Sequence, residues 1–274
     1  MTRVIHSSIV PRPRSAANPT TPTLGGAMAR SPAIPHPHPW RRAVVLSVVG
    51  LLVAFAVGAG VALLLQSSGD WSEGLAWERA LLLGIDQSAP GVLDWIMLSL
   101  PWLGTNLTLA PIIAVVALWL WRKKGRGDLA LELVIVVLGS LILNAVLKDV
   151  FNRPRPDLWP RRGQFAWAAY PSGHAIIGIA VYFSITAMLF RELQWRWPFA
   201  VATALLAVSI YSRLYLGVHW PTDVLGGLLL GAVWLAFVQL AFRPFHRASP
   251  SVRGRASPNP EALGRRSSIE GVGA

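Results

Sequence analysis

From Ala43 to Leu65 the chain runs for 23 residues without a charged side chain. A helix needs about 20 apolar residues to cross a bilayer, so this one run already points away from a water-soluble fold. Comparable apolar stretches recur at about 92–121, 129–147, 172–190, 198–216 and 222–242, which makes six candidate spans. Backbone polar groups in hydrocarbon must be satisfied within the segment, so each stretch is expected to be helical. The fold class expected is therefore all-α, a six-helix transmembrane bundle. The second stretch is too long for one upright span, and Pro101, Gly104 and Pro111 predict a tilt or kink in it. Trp119 and Trp121 are expected at headgroup depth near its end. The first run exceeds the 7–15 residues of a signal-peptide core, so it reads as a retained anchor.

Composition supports this reading. Apolar residues make up 53% of the chain and charged residues 14%, against about a quarter charged in ordinary soluble domains. The chain holds no cysteine, which excludes disulfide frameworks, thiolate metal sites and a cysteine nucleophile. The net charge of +12 is concentrated at the ends, with six arginines and no acid in 1–42 and six arginines against two glutamates in 243–274. Basic residues beside apolar runs fit anionic headgroups and orientation signals, so membrane lipids rather than nucleic acid are the expected surroundings.

The expected organisation is a Pro/Arg-rich disordered cytoplasmic tail (1–42), a six-span domain (43–242) and a basic disordered cytoplasmic tail (243–274). Arg41, Arg42, the cluster Arg122, Lys123, Lys124 and Arg126, then Arg191, Arg196, Arg243 and Arg247 all fall on one side of such a bundle. The positive-inside rule makes that side cytoplasmic and places both termini there. The segment 70–91, with two tryptophans and scattered acids, predicts a short amphipathic helix on the outer face. Lys148, Arg153, Arg155, Arg161 and Arg162 then cluster on the outer side, against the rule, which invites a functional explanation.

Three polar patches interrupt the apolar pattern on that side. Lys148 closes the third span and is followed by Asn152-Arg153-Pro154-Arg155-Pro156, where the prolines force the chain out of the helix. Tyr170-Pro171-Ser172-Gly173-His174 opens the fourth span. Ser172 suits an N-cap, and the free N–H groups of a helix start suit an anion. Ser212-Arg213 ends the fifth span, and His219-Trp220-Pro221-Thr222-Asp223 starts the sixth, within reach for a His–Asp pair. Taken singly, each patch has an ordinary reading: cations snorkelling to the interface, a plain helix cap, a structural His–Asp contact. Together they supply three cations, neutral donors at a helix start, two imidazoles and a carboxylate, and a bound phosphate would provide the negative charge those cations lack.

Lys-x6-Arg-Pro over 148–156, Pro-Ser-Gly-His over 171–174 and Ser-Arg-x5-His-x3-Asp over 212–223 resemble, in order and internal spacing, the three signature motifs of the type 2 phosphatidic acid phosphatase (PAP2) family. The resemblance implies a membrane lipid phosphate phosphatase with its site on the non-cytoplasmic face and no metal or other cofactor. It implies His219 as nucleophile, His174 as acid and Asp223 as orienting carboxylate, with Lys148, Arg155, Ser172, Gly173 and Arg213 contacting the phosphate. The expected substrate is a lipid phosphate monoester or a lipid or polyprenyl diphosphate; no protein partner is inferable. Alternatives are a phosphotransferase acting from a lipid diphosphate, a non-catalytic phosphate-lipid binding or transport protein, and a vanadium haloperoxidase, whose soluble nature six spans oppose. Arg161 and Arg162, beside Trp159 and Trp167, could touch a second phosphate or could anchor the loop at the interface.

Overall fold

The structure, a computed structural model, describes residues 39–88, 91–100, 106–160 and 168–248. The segments expected as tails lie mostly outside the described residues, as do Arg161, Arg162 and Trp167. Among the described residues the protein is helical throughout, with no strand. The helices are α1 (Pro39–Ser67), α2 (Ala76–Ser88), α3 (Leu93–Ser99), α4 (Asn106–Lys124), α5 (Gly127–Phe151), α6 (Gly173–Leu193), α7 (Trp197–Tyr215) and α8 (Pro221–Ala248). Helix α1 begins four residues before the expected span and α8 runs six residues past it, so helix continues into both segments expected as tails.

Five helices, α1, α5, α6, α7 and α8, are long and apolar enough to cross a membrane. The expected single span over 92–121 is instead two helices, α3 and α4, separated by 101–105, which lie outside the described residues. The apolar part of α4, Leu109–Arg122, is shorter than a full span. In the sequence Pro101, which has no N–H to donate, stands between the two helices. Pro111 lies inside α4, beyond the first four N–H positions, so the helix forgoes one backbone hydrogen bond there.

Helices α5, α6 and α8 form the centre. Leu129, Leu133, Val136, Leu143 and Leu147 line one face of α5 at helical spacing and meet Ile176, Ile177, Ala180 and Val181 of α6 and Leu230, Trp234, Val238 and Phe242 of α8. Helix α1 lies along α8 through a stripe of small residues, Ala43, Gly50, Ala54, Gly58 and Ala62. Small side chains allow the close backbone approach on which helix association in lipid depends. Its other faces expose Val44, Leu52, Leu63 and Leu64, the pattern of a helix solvated by acyl chains. Exposed tryptophans gather at both ends of the bundle: Trp40, Trp119, Trp121, Trp195 and Trp197 at one end, Trp77 and Trp95 at the other. Such exposed tryptophans at the two ends of an apolar bundle are the pattern of an aromatic belt.

The end of the bundle where α5 starts and α6 and α8 finish is tied by buried polar contacts. Glu132 of α5 is buried; one of its oxygens lies 2.6 Å from His246 Nε2 of α8 and the other 3.4 Å from an Arg191 nitrogen of α6. Arg191 also donates to Gln239 at 2.6 Å. Arg126 bridges Asp128 and Glu192, and these two acids hold its guanidinium above its ordinary pKa against the opposing effect of partial burial. Helices α5, α6 and α8 are thus fixed to one another at the ends opposite the three polar motifs.

Candidate active site

The three polar patches of the sequence meet at the end of the bundle opposite that lock. Lys148 sits one turn before the end of α5, Ser172 and Gly173 start α6, Arg213 lies in the last turn of α7, and Asp223 in the first turn of α8. His219 occupies the short turn between α7 and α8. Lys148, Ser172, Arg213, His219 and Asp223 are all buried, whereas Gly173 and His174 are partly exposed.

Backbone contacts bring the patches together. The Ser172 N–H donates to the Asp223 carbonyl at 3.0 Å, joining the start of α6 to the start of α8. Gly227, one turn into α8, makes the approach possible: a methyl group there would stand 2.6 Å from the Ser172 carbonyl oxygen. The turn that carries His219 is closed by Val218 N–H donating to the Arg213 carbonyl at 3.1 Å. That turn passes through Gly217 at φ +62°, a left-handed conformation that glycine adopts without strain. A side chain at Gly217 would also collide with the Trp159 ring, 2.7 Å away.

His219 Nδ1 lies 3.6 Å from Asp223 Oδ2, near enough to be oriented by the carboxylate but longer than a hydrogen bond. Asp223 is itself held tightly. Its Oδ2 accepts the Trp220 N–H and its Oδ1 accepts from Arg153, both at 2.7 Å. Burial pushes the His219 imidazole well below its ordinary pKa, and the positive charges of Lys148, Arg155 and Arg213 push it further; the Ala169 carbonyl acts weakly the other way. The ring is therefore neutral at neutral pH and surrounded by cations from three different elements.

The hydrogen bonds seen for these cations go to neutral groups. Lys148 Nζ donates to the carbonyls of Ala168 and Ala169. Arg155 donates to the Val218 carbonyl, one residue before His219, at 2.5 Å. Arg213 reaches the Ser212 hydroxyl through Nε and a terminal nitrogen, at 3.3 and 3.2 Å. Burying cations against carbonyls and hydroxyls is costly, and an anion held among them would add compensating charge.

One expectation is adjusted. Ser172 takes the N-cap position, but its hydroxyl makes no capping bond; like His219 Nδ1, it is buried without a hydrogen-bond partner among the described residues. The extended backbone of Ser172 (φ −74°, ψ 110°) is instead held by its own N–H and carbonyl, the latter accepting from Ile176 at 3.1 Å. Arg153, which the sequence groups only with the basic residues of the outer loop, is paired with Asp223. Its partner Glu78, on α2, is in the sequence one of several scattered acids in 70–91. The one hint in the sequence was an acid in the first turn of an amphipathic helix, which ordinarily means a solvated helix start. Among the described residues no group of three or more His, Asp or Glu side chains is placed to hold a metal ion.

A buried neutral imidazole beside a carboxylate, ringed by cations at the rim of a membrane bundle, defines an integral-membrane enzyme that acts on phosphate esters. Comparison with known proteins gives the family. The sequence profile of the PAP2 superfamily matches residues 129–247, which include all three motifs. Phosphatidylglycerophosphatase B of Bacillus subtilis is 32% identical over 155 residues, covering 54% of this chain and 74% of that protein. An undecaprenyl-diphosphatase of Sulfolobus acidocaldarius is 31% identical over 180 residues, covering 63% of this chain and 80% of that protein. The crystal structure of a transmembrane PAP2-type phosphatidylglycerolphosphate phosphatase from Bacillus subtilis superposes with a TM-score of 0.59 at 26% identity, covering 74% of this chain and 98% of the other. The chain belongs to the PAP2 superfamily. It is a membrane protein and a lipid phosphate hydrolase.

Proposed function

We propose that this protein hydrolyses a lipid diphosphate or lipid phosphate monoester at the non-cytoplasmic membrane face, through a phosphohistidine on His219. One observation carries the reading: Lys148, Arg155 and Arg213, from separate elements, surround a buried imidazole whose Nδ1 faces Asp223. In this reaction His219 Nε2 attacks phosphorus in line, and Asp223 fixes the ring tautomer and stabilises the imidazolium that forms. His174 protonates the leaving oxygen and then accepts a proton from the hydrolytic water. Lys148, Arg155 and Arg213, the Ser172 hydroxyl and the N–H groups at the start of α6 take the equatorial oxygens. Arginine suits two of these positions because its planar fork can hold two oxygens at once.

The relatives named for undecaprenyl diphosphate and phosphatidylglycerophosphate favour those two substrate types, both of which place phosphate at headgroup depth. With α4 as a sixth crossing, both termini and the lock around Glu132 face the cytoplasm and the site faces outward. The basic loops support this arrangement, and a bacterial plasma membrane is the membrane proposed. The segments 1–38 and 249–274 are proposed as basic cytoplasmic tails flanking one membrane domain.

The test is turnover by the purified full-length protein in detergent against phosphatidic acid, phosphatidylglycerophosphate and undecaprenyl diphosphate, with EDTA present. Phosphate release with acid-labile labelling of the wild type, both abolished in His219→Ala, is the expected result. Labelling that persists in His219→Ala, or turnover that needs added Mg²⁺, would overturn the proposal.

A further inference from the structure

Two fully buried charges, Glu78 and Arg153, take no part in the mechanism above, yet they are bonded directly to it. Glu78 lies in the first turn of α2 and is 0% exposed. Its Oε1 accepts from the Thr222 N–H at 2.9 Å and from the Thr222 hydroxyl at 2.6 Å. Its Oε2 accepts from the Leu75 N–H at 2.9 Å and from Arg153 at 3.2 Å. One carboxylate thus caps its own helix, caps α8 from outside and pairs with an arginine 75 residues away.

Arg153 passes this restraint on. One terminal nitrogen meets Glu78; the other donates to the Thr222 hydroxyl and to Asp223 Oδ1, both at 2.7 Å. Its Nε donates to the Trp71 carbonyl at 3.0 Å, and its guanidinium lies over the rings of Trp71 and Trp220, 5.0 and 5.5 Å from their centroids. The fork cannot rotate without breaking several contacts. With Oδ1 taken by Arg153, Asp223 has Oδ2 left to present to His219, 3.6 Å away.

We propose that Glu78 is a positioning residue for phosphoryl transfer: through Arg153 and Thr222 it fixes the carboxylate of Asp223, and hence the imidazole of His219. The inference rests on the proposed function and extends its machinery to α2, outside the segment that the family profile matches. Charge reinforces geometry. Glu78, Arg153 and Asp223 together carry one net negative charge behind an imidazole that must become positive when phosphorylated. Lys148, Arg155 and Arg213 face the same ring and oppose that charge, so neutralising Glu78 weakens the negative charge that offsets them.

The competing role for Glu78 is an anchor that merely fastens α2 to the bundle. An anchor affects melting temperature and yield; a positioning residue affects kcat per folded molecule and leaves KM alone. The experiment measures both on full-length wild type, Glu78→Gln, Glu78→Asp and Arg153→Lys, using dioleoylphosphatidic acid and farnesyl diphosphate in mixed micelles. Glu78→Gln is expected to lose about 10- to 100-fold in kcat and in the rate of phosphoenzyme formation, as supporting-residue changes commonly do, with KM within about two-fold. Glu78→Asp, which keeps the charge, is expected to recover part of the loss. Arg153→Lys, which keeps the charge without the fork, is expected to lose kcat similarly and serves if Glu78→Gln fails to fold. Wild-type kcat in Glu78→Gln or in Arg153→Lys, whatever the melting temperature, overturns the proposal and leaves the enzyme reading standing. A wild type that hydrolyses neither probe and traps no phosphoenzyme refutes both.

Discussion

His219 is surrounded by groups that all oppose its protonation, and this sets a pH dependence of known sign. The folded-state pKa lies below the ordinary value of about 6.5, so the unfolded chain binds the proton more readily. Stability contributed by the neutral ring is therefore complete above about pH 6.5 and is lost as the pH falls from there towards the folded-state value. Activity follows the folded enzyme. The acid limb of kcat/KM should fall below the pKa of a free histidine, and a pH–rate profile in detergent checks this. An acid limb above pH 7 would contradict the environment described. The cations offer a second test. Arg213 is buried at the end of α7 with the Ser212 hydroxyl as its side-chain contact, so Arg213→Ala should cost about 10²–10³ in kcat, as the loss of one preorganised oxyanion donor does. Steady-state kinetics beside a melting curve separate that loss from unfolding.

Among the helices, α6 and α8 make the contact on which the site depends. Their starts touch through Ser172 and Asp223, and Gly227 provides the clearance. Gly227→Ala places a methyl group 2.6 Å from a backbone oxygen, so one helix has to move. The expected outcome is a loss of about 1–3 kcal/mol in stability, the usual cost of overpacking. A fall in kcat of at least about ten-fold should accompany it, because the carboxylate and imidazole on one helix end shift against the serine and histidine on the other. Thermal denaturation and kinetics on the same preparation measure both. The π-helical turn at Gly178–Tyr182 divides α6 between the site and the lock at Glu132, so the two ends of this helix need not share one regular register.

The arrangement of the complete bundle across the membrane can be tested because the chain has no cysteine of its own. Single substitutions at exposed loop positions, Ser68→Cys after α1 and Trp195→Cys between α6 and α7, mark opposite ends of the bundle. In intact cells a membrane-impermeant maleimide should label Ser68→Cys at once and Trp195→Cys only after permeabilisation. The reverse pattern would turn the protein over and place the site in the cytoplasm.

Much of this was legible in the chain itself. Lipid as solvent demands long apolar helices, so hydropathy alone located α1, α5, α6, α7 and α8 to within a few residues. The spacing of Lys148 and Arg155, of Ser172 and His174, and of His219 and Asp223 is local, and local spacing survives in sequence. The expected span over 92–121 became two helices, because hydropathy measures affinity for lipid and not continuity of the helix. What only the tertiary structure decided is pairing between distant charges. Glu78 reads as a surface acid and Arg153 as one more cation, and nothing in their neighbours announces that they meet. Which buried carboxylate compensates which buried guanidinium follows from how α2, α5 and α8 pack, and that geometry exists only once the bundle has formed.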